Sequence, residues 1–78
     1  MVWAERTGEL LDHLRAAGLV AIVKADGERD KSPWTVLITG PLLGDDYVRA
    51  ETSSLEAALS HSVAELRRRV PALVLPVE

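Results

Sequence analysis

The sequence contains no cysteine, so no disulfide can staple the fold and no thiolate can serve as metal ligand or nucleophile. Phenylalanine is absent too, and aromatics are only 4% of the chain. The core must therefore be built from Leu, Val, Ala and Ile around Trp3, Trp34 and Tyr47. No window approaches the roughly 18 apolar residues that a membrane span needs. Charges at Glu5, Arg6, Glu9, Asp12 and Arg15 interrupt the N-terminal stretch where a signal peptide would carry an apolar run. A soluble protein of cytoplasmic type is expected. Glycines stand singly at positions 8, 18, 27, 40 and 44 and lack the Lys-Ser/Thr ending of a phosphate loop, which leaves nucleotide hydrolysis without support. Basic charge is short as well. Nine Lys and Arg against 12 Asp and Glu give a net charge of -3, opposite in sign to the footprint of a phosphate-binding surface.

What is present suits one packed domain. At 78 residues and 47% hydrophobic, the chain is too apolar for disorder and too short to bury two cores. A core of this size leaves stability marginal, so self-association into a homodimer is expected to help.

Apolar residues at Trp3, Leu10, Leu11, Leu14 and Ala17 trace a helical stripe that predicts a helix over residues 1–18. Gly18 ends it, with Leu19 placed to close a Schellman cap. Residues 19–25 are apolar on both faces and rich in β-branched side chains, as for a strand covered on both sides or central in a sheet. A charged, turn-rich loop at 26–33 leads to the alternating strand 34–39, in which Trp34, Val36 and Ile38 share a face. Gly40 and Pro41 break that strand. Leu42, Leu43, Gly44, Asp45 and Asp46 follow as a loop with an apolar tip, and a third strand is expected over 47–51. Ser53 with Glu56 three residues on reads as a capping box for a helix over 53–70. Its apolar stripe is Leu55, Ala58, Leu59, Val63, Leu66 and Val70. Arg67, Arg68 and Arg69 fall in its last turn, where cations complement the helix dipole, and Pro71 stops it. The tail 71–78 is apolar at Leu73, Val74 and Leu75, and is expected to be either a fourth strand or a contact with a second copy. The fold class is α+β: helix, three-stranded antiparallel meander over 19–52, helix, and an optional C-terminal strand, with both helices on one face.

Chemistry-bearing residues do not assemble into a catalytic pattern. His13 and His61 lie on different helices with no ligand spacing around them, so neither a metal nor a cofactor is expected. Ser60 and Ser62 flank His61, but helical neighbours project about 100° apart and do not share a hydrogen bond easily. The arginine run at 67–69 is the one basic cluster, and guanidinium groups can grip carboxylate or phosphate.

From Leu19 onward the chain has a strand ending in Ala25-Asp26-Gly27, a second strand from Trp34, a Gly40-Pro41-Leu42-Leu43-Gly44 turn, a helix start Thr52-Ser53-Ser54-Leu55-Glu56-Ala57-Ala58-Leu59 and a final Leu75-Pro76-Val77. In these features residues 19–78 resemble HicB-type antitoxin domains. The N-terminal helix departs from that family. The element order is also similar to double-stranded-RNA-binding domains and HicA-type toxins. However, the last helix begins Ser53-Ser54-Leu55-Glu56 where the RNA-binding domains are Lys-rich, and no strand carries the toxin's histidine.

The function expected is a non-catalytic protein-binding module, antitoxin-like or otherwise regulatory, that engages a protein partner or a second copy. Its candidate contact residues are Leu42, Leu43, Asp45, Asp46, Arg67, Arg68, Arg69, Leu73 and Leu75. The alternative is a nucleic-acid-binding module that uses Arg49 and the basic end of the last helix.

Overall fold

A computed structural model describes residues 3–76. The expected helix start at Met1 and Val2 and the tail end at Val77 and Glu78 lie outside the described residues. A 3-10 turn at Trp3–Arg6 opens into α1 (Thr7–Ala16). Strands β1 (Val20–Ala25), β2 (Trp34–Thr39) and β3 (Val48–Thr52) then form an antiparallel sheet in the order β1-β2-β3, and α2 (Leu55–Arg69) closes the fold. This is the α+β arrangement that the hydrophobic periodicities predict.

The first helix stops as its cap residues dictate. The Leu19 N–H donates to the Leu14 carbonyl at 3.0 Å and the Gly18 N–H to that of Arg15 at 3.0 Å. Gly18 sits at φ 81°, which makes this a Schellman cap. Near the N-terminus, however, the expected single helix divides into the 3-10 turn and α1 around Arg6. Gly8 falls in the first turn of α1, where its weak helix propensity costs least.

Strand registers put Ala21, Val23, Trp34, Val36, Ile38, Val48 and Ala50 on one side of the sheet. Both helices pack there: α1 lies over β1, and α2 over β2 and β3. Val36, Ile38, Leu59, Val63 and Leu66 are buried in one cluster, and Trp3 and Leu43 belong to it from outside the sheet. Trp34 is half-buried against the same cluster. Gly40 makes the turn out of β2 at φ 146°. A Cβ there would stand 2.9 Å from Leu19 Cδ2 and 3.1 Å from the Gly18 carbonyl, so glycine alone lets the β2 end pass beside the α1–β1 link.

Four expectations are corrected. The cap of α2 is Ser54, whose Oγ accepts the Ala57 N–H at 3.1 Å, and not Ser53. Glu56 is drawn away from a capping box because its carboxylate accepts the Ala4 N–H at 2.7 Å and the Ser60 hydroxyl at 2.8 Å, pinning the N-terminal turn to α2. The third strand begins at Val48, one residue later than expected, since Asp46 Oδ1 takes the Tyr47 N–H at 2.8 Å in a local turn. Among the described residues the tail forms no fourth strand. It turns at Pro71 and Ala72, then lays Leu75 and Pro76 into the core with Leu73 half-buried beside them. Finally, β1 is neither central nor covered on both sides: it is an edge strand with one open face.

Candidate protein-binding surface

The alternation that buries Val36 and Ile38 turns Val20, Ile22, Lys24, Thr35, Leu37, Thr39, Arg49 and Glu51 to the other side of the sheet. Neither helix reaches this side. Val20 is 56% exposed, Ile22 53% and Tyr47, just ahead of β3, 52%. The register sets Val20 beside Thr39, then Ile22 beside Leu37 and Arg49, then Lys24 beside Thr35 and Glu51. One end of the open face is thus apolar along β1, and the other is charged.

The charges at the other end are paired within the chain. Arg49 pairs with Glu51, and Arg29 from the 26–33 loop reaches the same carboxylate at 3.7 Å. Hydrogen bonding from Arg49, reinforced by its charge and that of Arg29, holds the Glu51 carboxyl below the usual range. Lys24 lies 3.7 Å from Asp26. Among the described residues the apolar end has no such internal partner, so burial by another molecule is the interaction it offers.

Residues singled out in the sequence are dispersed. Leu43, Leu73 and Leu75 pack into or against the core, while Leu42 is exposed on the 3-10 turn Pro41–Leu43 and Asp45 is exposed in the loop after it. Asp46 and Arg69 are brought together as an ion pair, and Arg69 also donates to the Tyr47 carbonyl at 3.2 Å. The Arg69 Nε is buried without a hydrogen-bond partner. Arg68 bonds Glu65 at 2.8 Å, which lowers the Glu65 pKa and raises that of Arg68. Arg67 donates to the Pro76 carbonyl at 3.4 Å and so ties the tail to α2. The arginine run therefore braces the chain's own loop, helix and tail.

Histidine chemistry is dispersed too. His13 Nδ1 lies 2.9 Å from the Glu9 carbonyl, and the Ser60 and Ser62 hydroxyls donate to Glu56 and to the Ala58 carbonyl, not to the exposed His61. Among the described residues no group of three or more His, Cys, Asp or Glu could hold a metal ion, and no pocket is enclosed. No helix among them is long and apolar enough to cross a membrane.

Compared with protein-family models, with curated proteins and with solved structures, the chain matches none. What the described residues define is a small α+β domain, with two helices on one face of a three-stranded antiparallel meander and the other face open.

The open β1 surface was missed at the sequence level, although a signal for it exists. With both helices on one face of a two-layer fold, the opposite face has no layer over it among the described residues, so a first strand that is apolar on both faces has one face for the core and another left open.

Proposed function

We propose that this chain is a non-catalytic protein-binding module that docks its partner along β1, the edge strand whose outer apolar side chains lie on the uncovered side of the sheet. The observation that carries this is the exposure of Val20 and Ile22, at 56% and 53%, side by side on an edge strand whose opposite face is core. Each side chain is already nearly half-buried, so a partner that covered the rest would add about 1 kcal/mol for each, roughly half of a full transfer. The resemblance of residues 19–78 to HicB-type antitoxin domains supplies the kind of role, holding or regulating a partner protein. Nucleic-acid binding draws less support, since Arg49, Arg67, Arg68 and Arg69 each have partners within the chain.

A photo-crosslinking amino acid placed at position 22 of the full chain in its native cells tests the reading, with the exposed Ala64 of α2 as the control position. Covalent protein adducts are expected at 22 and not at 64. Their absence at 22 in a folded chain would overturn it.

A further inference from the structure

Resting on that protein-binding reading, we infer that the occupant of β1 is a second copy of this chain, paired antiparallel about Ile22 so that two sheets merge into one of six strands. The two edges of the sheet differ in a way that selects β1. Edge strands are usually guarded by charge, proline, bulges or brevity. On the β3 edge, Arg49 and Glu51 are locked together on the open face, and the Asp46–Arg69 pair sits at the strand's entry. The six residues of β1 carry one charge, no proline and no glycine, and pair in unbroken register with β2.

Self-complementarity selects the partner. In a two-fold antiparallel pair centred on Ile22, residue 22 faces its own copy, 20 faces 24 and 21 faces 23. On the open face the two Ile22 side chains meet, and each Val20 receives the aliphatic stem of Lys24 from the other copy. On the helix side, small Ala21 lies opposite Val23, extending the half-buried apolar layer that both residues already contribute. No like charges oppose each other, because the two Lys24 residues are offset by four positions, about 13 Å along the strand. That exceeds the roughly 8 Å screening length at physiological salt. Each Lys24 also keeps Asp26 of its own chain at 3.7 Å. Centring the pair on Val23 instead would set Ile22 against Lys24 and Val20 against Asp26, which loses the apolar match.

Area sets the strength. A standard stable interface buries about 800 Å² per partner, about a sixth of the 4788 Å² surface of this chain. A strand joint about 20 Å long falls short of that, so the dimer should be weak and should form with rising concentration.

The lack of cysteine makes the test clean, because Ile22→Cys, Val20→Cys, Val23→Cys and Lys24→Cys each introduce a single thiol into the full chain. Facing Cα atoms in an antiparallel pair lie about 4.5–5.5 Å apart, within disulfide reach. Under mild oxidation Ile22→Cys should form covalent dimer roughly tenfold faster than the other three, because only there are the thiols held at high effective concentration. The unmodified chain, in sedimentation equilibrium, should move from monomer toward twice that mass between micromolar and millimolar concentration. Equal crosslinking at all four positions, preferential crosslinking at 23, or a monomer throughout would overturn the pairing. If position 22 meanwhile gives photo-adducts with a different protein, self-pairing fails and the protein-binding reading stands. If it gives no adduct of any kind, both fail.

Discussion

One sheet carries the same residue types on its two faces with opposite outcomes. Ile38 on the helix side is 1% exposed and Ile22 on the other side 53%, though both are isoleucines in six-residue strands of the same ladder. Apolar alternation specifies that a strand forms and which side chains travel together. What covers each face is decided by where the helices are tethered. Here α1 and α2 both fall on the side of Val36 and Ile38, and the lesson is that β1 carries more hydrophobic surface than the described core covers.

Substitutions that separate the two faces should separate folding from binding. The largest effect is expected for Ile38→Ala, which opens a cavity in the core at a cost of about 2–5 kcal/mol, against less than about 1 kcal/mol for Ile22→Ala. Urea unfolding of both variants at low protein concentration reads the difference. Next comes Gly40→Ala, where a strained φ and the 2.9 Å approach to Leu19 Cδ2 combine. A loss of about 1–3 kcal/mol is expected there, seen as a lower thermal midpoint. Smaller again is Ser54→Ala, at about 1 kcal/mol for a lost cap. Ser53→Ala in the same unfolding assay should leave stability nearly unchanged, which locates the cap.

The smallest effect concerns the exposed ion pairs of the open face. Because Arg49 holds Glu51 below its unfolded pKa, the native state binds fewer protons than the unfolded one across that interval. The stabilisation is therefore present at neutral pH and is lost as pH falls through the depressed native pKa. Thermal midpoints of the wild type and Glu51→Gln should differ slightly at neutral pH, converge on acidification and converge also in high salt.

Much of the fold was legible from local rules. The stop at Gly18, the alternation from Trp34 and the apolar stripe of α2 each depend on residues a few positions apart, which a linear reading can weigh. Features that depended on distant partners were not legible. Ser53 and Glu56 have the spacing of a capping box, yet the Ala4 N–H, 52 positions away in sequence, claims the carboxylate. Arg69 reads as part of a free basic run, but its partner Asp46 lies in a loop 23 positions earlier. Leu75 reads as surplus apolar sequence, although the core closes over it without any strand periodicity. Ser62 interrupts the apolar stripe of α2 and is nonetheless buried, because its hydroxyl is satisfied by the Ala58 carbonyl one turn back. On β1 the pattern was seen and its cover misplaced. The candidate surface became visible only with both helices placed on the opposite side of the sheet.

If the helix side of the sheet holds the fold and the β1 edge pairs with a second copy, one substitution should separate the two. In sedimentation equilibrium from micromolar to millimolar concentration, the wild-type mass should climb toward the dimer while that of Ile22→Lys stays monomeric, with the variant's urea midpoint in dilute solution unchanged. An Ile22→Lys chain that still dimerises, or one that unfolds as readily as Ile38→Ala, would contradict it.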